Sequence, residues 1–138
     1  MSERMMLMLT ITRRGGGAKI IETLEKNYVP WHFRLVGQGT ASSEMMDILG
    51  LGSRDKDIIA SLCTKSAAER LVWELDNDPT RGHGQGMLMI IPLGGISSIA
   101  AALIERQTGT VPESEAEHKM KNEYRHSLVL VTVNRGLA

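Results

Sequence analysis

The sequence predicts an α+β domain in which a four-stranded antiparallel sheet carries two helices on one face. Short apolar runs of strand length alternate along the chain with segments whose apolar residues recur at helical spacing. Clusters of glycine, proline and polar residues separate these segments. With 138 residues, the chain is long enough for one such domain and a short extension.

The first three predicted elements are a strand, a helix and a second strand. Residues 5–12 form a continuous apolar run, which is typical of a strand in the middle of a sheet. Residues 18–28 place apolar side chains at helical spacing, and this pattern stops before Pro30. Residues 31–36 alternate, with the large apolar side chains on one face, and therefore predict a strand.

A long loop with a short helix follows the second strand. Ser43 is placed to cap a helix over residues 43–49, and Gly50 is placed to end it. The polar residues 53–57 continue the loop. The apolar run at 58–63 then predicts the third strand.

The next segments supply a second helix and a fourth strand. Residues 66–69, Ser-Ala-Ala-Glu, form a capping box that begins a helix continuing to residue 75. The polar run at 76–79 ends this helix, and a glycine-rich loop leads into an apolar strand at 87–91. The complete order, β-α-β-β-α-β, is the ferredoxin-like plan.

The C-terminal part adds a helix and an extra strand to this plan. A helix over residues 99–107 is preceded by capping serines, and the polar stretch 113–124 separates it from an apolar strand at 127–133. This last strand ends in the same apolar-Thr-apolar-polar-Arg pattern as the first strand. It is either the start of a second, incomplete repeat or an unrelated strand of similar composition. We therefore divide the chain into a domain over 1–96 and an extension over 97–138.

The overall composition restricts the function classes. Apolar residues make up 42% of the chain, charged residues make up 23%, and the net charge is zero, so no nucleic-acid footprint is visible. The apolar stretch near the N-terminus is too short to span a membrane, and we expect no membrane insertion. Cys63 is the single cysteine and lies in an apolar run, which predicts a buried structural thiol in the reducing cytoplasm.

Two glycine clusters are candidate anion sites. Residues 80–86, Thr-Arg-Gly-His-Gly-Gln-Gly, carry glycines at alternate positions, so their backbone N–H groups can turn toward a phosphate. Arg13 and Arg14 stand beside the glycines 15–17 at the start of a predicted helix, where an anion is also favoured. A plain connecting turn is the alternative explanation for each cluster.

With these elements in place, the chain resembles the PII (GlnB-like) family of nitrogen-regulatory signalling proteins over about residues 5–95. The likeness consists of the strand 5–12, the sequence Val-Gly-Gln-Gly at 36–39 that enters a long loop, and the glycine loop 84–86 before an apolar strand. These match the first strand, the entry to the T-loop and the B-loop of that family. The compact helical insert after Gly39 is similar to a divergent PII-like subgroup.

This resemblance implies a cytoplasmic homotrimer that senses a small anionic effector in the clefts between its subunits and regulates a partner protein. The effector it implies is an adenine nucleotide: ATP, ADP or AMP. The residues placed to bind the effector are those of the two glycine loops and one arginine: Gly37, Gln38, Gly39, Thr40, Arg81, Gly82, His83, Gly84, Gln85, Gly86 and Arg13.

The chain departs from the family pattern at positions that matter for binding. Met87 stands where nucleotide-binding members have a phosphate-contacting lysine, and Ala41 stands where they have a glutamine for 2-oxoglutarate. No tyrosine lies between Gly39 and Asp57, and residues 92–96 lack the expected arginines. Because hydrogen bonds to charged groups contribute about 1.5–3 kcal/mol each, a triphosphate would bind less tightly here.

A second hypothesis is an interaction module without a small ligand. In this case the loop helix within residues 42–52 docks on a partner through four apolar side chains: Met45, Met46, Ile48 and Leu49.

An enzyme is disfavoured because the sequence offers no pairing of a nucleophile with a base, and it offers no tight metal-ligand spacing. In both hypotheses the first strand is apolar at both sets of alternating positions, so its second face must be buried, and a closed trimer would bury it.

Overall fold

The computed structural model describes residues 3–39, 42–48, 54–77, 86–111 and 127–129 of the chain. These residues form four strands and four helices. In chain order the elements are β1 (Met5–Arg13), α1 (Gly17–Lys26), β2 (Trp31–Gln38), α2 (Ser43–Ile48), β3 (Asp55–Thr64), α3 (Lys65–Asn77), β4 (Gly86–Pro92) and α4 (Ser98–Thr108).

The four strands form one antiparallel sheet in the order β2-β3-β1-β4. The predicted α+β class and the ferredoxin-like element order are therefore confirmed. Strand β1 lies inside the sheet because it pairs with both β3 and β4; Met8, for example, faces Ser61 on one side and Ile90 on the other. This central position accounts for its continuous apolar run.

One face of the sheet forms the core with helices α1 and α3. Successive side chains of a strand point to opposite faces, so Met6 and Met8 share a face. They pack with Leu24 of α1 and with Ala67 and Leu71 of α3 in one buried cluster. Methionines at central strand positions fill the space between two helices because their side chains adapt to irregular gaps.

The opposite face of the sheet is apolar across all four strands. In this apolar sheet face the exposed fraction is 57% at Phe33 and 50% at Leu35. An apolar surface of this extent is characteristic of an interaction surface. Its three rows, read from β2 to β4, are Trp31, Leu62, Leu7 and Ile91; Phe33, Ala60, Leu9 and Met89; and Leu35, Ile58, Ile11 and Met87.

Strand β3 begins three residues before the predicted position. The polar residues Asp55, Lys56 and Asp57 belong to the strand, because Lys56 pairs with Arg13 and Asp57 pairs with Thr12 of β1. The prediction placed this polar run in the loop. Hydropathy alone cannot detect a strand start at which two charged side chains, Lys56 and Asp57, are buried.

Helices α3 and α2 are capped by residues that lie two positions and one position before the predicted capping residues. The Thr64 hydroxyl accepts a hydrogen bond from the Ala67 N–H at 3.3 Å, so α3 begins at Lys65 rather than at the Ser66 capping box. Ser66 instead donates its hydroxyl to Glu3 at 2.8 Å. At α2, the Ser42 hydroxyl accepts from the Met45 N–H at 3.3 Å, in place of the predicted Ser43 cap.

The C-terminal helix agrees with its prediction. The Ser97 hydroxyl accepts from the Ala100 N–H at 3.2 Å, and Gly109 ends the helix with a φ of 66°. Helix α4 packs against β3 and buries Ile104. Of the predicted last strand, residues 127–129 are described and are not part of a strand, whereas 130–133 lie outside the described residues. The proposed second repeat therefore stays a prediction.

A close approach between β1 and β4 requires glycine at position 86. A Cβ built on Gly86 would lie 2.5 Å from the backbone carbonyl oxygen of Ile11, a separation that only backbone movement could relieve. We predict that Gly86→Ala lowers stability by about 1–3 kcal/mol, the usual cost of overpacking. Thermal unfolding measures this change.

Gly94→Ala is the matched control because a Cβ there meets no atom within 4 Å. We expect its effect to stay within about 0.5 kcal/mol. Equal melting temperatures for the two variants would show that the β1–β4 contact does not require glycine.

Candidate functional site

The described members of the predicted effector site lie at one end of the sheet. Here β1 and β2 end and β3 and β4 begin, and we call this the loop end. Gly37 and Arg13 both pair with Lys56, and Gly86 pairs with Thr12, so these residues occupy adjacent rows. Gln38 is the last residue of β2 and Gly39 follows it, whereas Thr40 and residues 81–85 lie outside the described residues.

The two glycine loops leave opposite edges of the sheet. Gly37 lies on the edge strand β2 and Gly86 on the edge strand β4, with β3 and β1 between them. Three strand spacings separate the two edges, which corresponds to about 14 Å. A small ligand that contacts both Gly37 and Gly86 within one subunit would have to bridge this distance.

Gly37 has a packing role that is independent of any ligand. A Cβ at this position would lie 2.7 Å from the Ile58 Cδ1 atom on the neighbouring strand. The glycine therefore allows Ile58 to pack closely within the sheet. A glycine here is consistent with a ligand loop but does not require one.

The best-defined polar arrangement of the described chain surrounds Asp57. Its Oδ2 atom accepts three hydrogen bonds, from the Gly15 N–H at 3.0 Å, the Gly17 N–H at 3.1 Å and Arg34 Nη2 at 2.7 Å. Its Oδ1 atom lies 3.6 Å from Arg14 Nη1. The Asp57 side chain is fully buried, whereas both arginines are about half exposed. We call this arrangement the Asp57 cage.

Of the three consecutive glycines after Arg14, Gly15 and Gly17 belong to this cage, and Gly16 lies against Thr12. Gly15 has a φ of 89°, a backbone conformation that glycine adopts without strain. A Cβ on Gly17 would lie 2.9 Å from Asp57 Oδ2, and a Cβ on Gly16 would lie 2.8 Å from Thr12 Oγ1. The predicted anion site at the start of α1 is thus occupied by a carboxylate of the chain itself.

The electrostatics of the cage favour an ionised Asp57. Burial by itself raises the pKa of this carboxyl, but the hydrogen bonds from Arg34, Gly17 and Gly15 outweigh burial and hold the pKa below its ordinary value. The positive end of the α1 dipole acts in the same direction. Asp57 therefore carries its negative charge at neutral pH.

Asp57 is the residue that sequence reasoning missed. It lies in a polar run that is typical of a loop, and its hydrogen-bond partners are 23 to 42 positions away along the chain. Two weak sequence features are compatible with a buried carboxylate. One is the glycine triplet 15–17, which can bind an anion, and the other is Arg34, a single charged residue within an apolar strand. Neither feature identifies which carboxylate fills the turn.

The insert after β2 presents apolar side chains to solvent. The exposed fraction is 55% at Met45 and 78% at Ile48. The side chain of Met46 and the whole of Leu49 lie outside the described residues. The base of the insert is closed by the Gly39 N–H, which donates to the Arg54 carbonyl at 2.8 Å.

The remaining candidate groups carry no site among the described residues. Cys63 is fully buried, its Sγ lies 3.9 Å from the Met6 carbonyl oxygen, and burial raises the pKa of its thiol to about 12, which agrees with the predicted structural role. Within the described ranges no three His, Cys, Asp or Glu side chains are grouped to hold a metal ion. No described helix is both long and apolar enough to cross a membrane.

Comparison with known proteins defines the fold but not a family. No protein-family model matches the chain, and no curated protein sequence matches it. CutA1 from Oryza sativa superposes with a TM-score of 0.58 at 8% identity, covering 82% of this chain and 98% of that chain. The divalent ion tolerance protein CutA1 from Ehrlichia chaffeensis gives 0.57 at 10% identity, covering 78% and 98%. A Thermus thermophilus protein described as PII-like gives 0.49 at 8% identity, covering 66% and 87%.

These comparisons place the chain in one structural class. It is a small α+β protein with the ferredoxin-type fold of the CutA1 proteins, built on a four-stranded antiparallel sheet. Identities near 10% establish the fold and not the function. Membership of the GlnB-like family stays a prediction.

The Asp57 cage predicts a loss of stability in acid. The folded-state pKa of Asp57 lies below its unfolded value, so the ionised carboxylate contributes stability that is complete above the unfolded pKa, about 4. This contribution is lost as the pH falls through the folded-state pKa. The charged groups that face Asp57 are Arg14 and Arg34. Urea unfolding from pH 7 to pH 3 measures the change.

Asp57→Asn is the comparison variant for this titration. We expect it to be less stable than the wild type at pH 7 and to lose less stability between pH 5 and pH 3. Parallel stability curves for the two proteins over that interval would contradict the assignment of the acid response to Asp57.

Proposed function

We propose that this protein is a PII-like regulator that senses a small anionic effector, an adenine nucleotide, and passes the state to a partner protein in the cytoplasm. The observation that carries the proposal is the convergence of Arg13, Gly37 and Gly86 at the loop end of the sheet. Both glycine loops identified in the sequence begin or end there. Backbone N–H groups and an arginine at the same end of a sheet are suited to bind phosphate.

The proposed site lies between subunits rather than within one. The two loops leave sheet edges about 14 Å apart, which favours a nucleotide held by loops of two different subunits. In a trimer the 37–41 loop of one subunit faces the 82–86 loop of its neighbour. Arg13 then contributes charge from β1, and Arg81 and His83 contribute it from the second loop.

The apolar sheet face supports the proposed trimer. It spans four strands and leaves Phe33 and Leu35 at least half exposed in a single chain. Burial of apolar surface contributes about 25 cal/mol per Å², which favours covering such a face. Three copies with their sheets turned inward would cover it.

The proposed role does not require catalysis. Its chemistry is reversible binding of a charged ligand, and the regulated output is a change in the loops that meet at the ligand. The exposed α2 insert, which lies between β2 and β3, is the part proposed to contact the partner.

The nucleotide proposal predicts saturable binding to the intact chain. Calorimetric titration with ATP, ADP, AMP and cyclic AMP should give binding of at least one nucleotide in the micromolar to millimolar range. We expect Arg13→Gln to weaken that binding by about tenfold or more, since a hydrogen bond to a charged group is worth about 1.5–3 kcal/mol. Lys26→Gln, which removes an exposed charge paired with Glu22 on α1, is the control and should bind like the wild type. Absence of binding by all four nucleotides at millimolar concentration would refute the nucleotide proposal.

The trimer proposal predicts a threefold mass by light scattering at micromolar concentration. Leu35→Lys places a charge on the apolar sheet face and should release monomers. Val36→Lys is the matched control because Val36 is the next residue, is 65% exposed and points to the opposite face of the sheet. A monomeric wild type, or equal masses for the two variants, would rule out this interface.

A second function is favoured by one specific observation. Met45 and Ile48 are exposed on α2, which suits a protein-docking helix that needs no small ligand. In this alternative Met46 and Leu49 complete the docking surface. An intact trimer that binds none of the four nucleotides would make this interaction module the better proposal.

A further inference from the structure

We propose that Asp57 is the positioning residue of the insert between β2 and β3, residues 39–54, because it fastens the base of this insert to the turn between β1 and α1. This inference rests on the contacts of the Asp57 cage alone. It is independent of whether the protein binds a nucleotide.

The insert has a base formed by two paired strand ends. Gln38 pairs with Asp55, and the Gly39 N–H donates to the Arg54 carbonyl at 2.8 Å. The Gln38 side chain also donates to Asp55 at 3.4 Å. Whatever fixes these two strand ends therefore fixes where the insert leaves the sheet.

The Asp57 cage joins both sides of this base. Asp57 lies on β3 three residues after Arg54, and Arg34 lies on β2 five residues before Gly39. Their ion pair of 2.7 Å crosses diagonally between the strands, because Asp57 pairs with Val36 in the sheet. A guanidinium and a carboxylate in such contact hold a defined geometry as well as a charge.

The same carboxylate connects the base of the insert to the core. The N–H groups of Gly15 and Gly17 donate to Asp57, and α1 begins at Gly17. Helix α1 is anchored through Leu24, which is buried against the β1 methionines. The base of the insert is therefore fixed relative to helix α1 as well as relative to the edge strand β2.

Helix α2 has little else to hold it among the described residues. The side chains described on this helix are all exposed: Glu44, Met45, Asp47 and Ile48. A six-residue helix is too short to be stable alone in water. Its placement relative to the sheet therefore depends on the strands from which the insert emerges, and so on the cage.

Amide hydrogen exchange on the full chain at pH 7 tests this inference, with the Gly39 N–H as the probe of the insert base. We expect Asp57→Asn to lower the protection of Gly39 at least tenfold more than it lowers protection in the central strand β1, whose amides report the global stability. Arg34→Lys keeps the charge but loses the planar fork, so its Gly39 protection should lie between those of the wild type and Asp57→Asn. Lys26→Gln, on the exposed side of α1, should leave Gly39 unchanged.

Two results would overturn the inference. One is unchanged protection of Gly39 in Asp57→Asn. The other is an equal loss of protection at Gly39 and throughout β1, which would mark Asp57 as a general stabilising residue only. If Asp57→Asn does not fold, Arg34→Gln tests the same ion pair, because the arginine is half exposed and its removal leaves the hydrogen bonds from Gly15 and Gly17 in place.

Discussion

The buried negative charge of Asp57 is the constraint on which the loop end of this protein depends. A carboxylate withdrawn from water is strongly unfavourable unless charges and hydrogen bonds replace its hydration. Here the replacement comes from two arginines and from two backbone N–H groups at the start of α1. The charge therefore dictates where β1, α1, β2 and β3 meet, and it requires a side-chain-free residue at Gly17.

The Asp57 cage also changes how the glycine triplet should be understood. A glycine-rich turn at a helix N-terminus can bind a phosphate, but it can equally bind a carboxylate of its own chain, because both anions accept hydrogen bonds from backbone N–H groups. The structure shows the second case at Gly15 and Gly17. For the loop at 80–86 only Gly86 is described, and its glycine is explained by the approach of the Ile11 carbonyl. The functional argument for that loop thus rests on its position and not on its glycines.

The fold could be predicted from the sequence because its determinants are local. Apolar periodicity identified all four strands of the described sheet and both of its core helices, and capping residues placed α4 within one residue at each end. The start of β3 and the start of α3 could not be predicted in the same way. Asp57 is a charged residue whose burial depends on Arg34 and Gly17, and Ser66 fails as a cap because Glu3 binds it from 63 residues away. These are tertiary contacts, which a window along the chain does not contain.

The candidate effector site was less predictable for a geometrical reason. Sequence reasoning grouped Gly37 with Gly86 because both stand in loops next to strands, but sheet order alone decides how far apart such loops lie. The order β2-β3-β1-β4 puts them on opposite edges. The proposed site is therefore completed by a second subunit, and the apolar sheet face is the surface that would bring that subunit into register. The effector proposal and the trimer proposal are therefore one structural argument: a protein that stays monomeric would keep Gly37 and Gly86, where the two loops meet the sheet, about 14 Å apart, too far to share a single phosphate group.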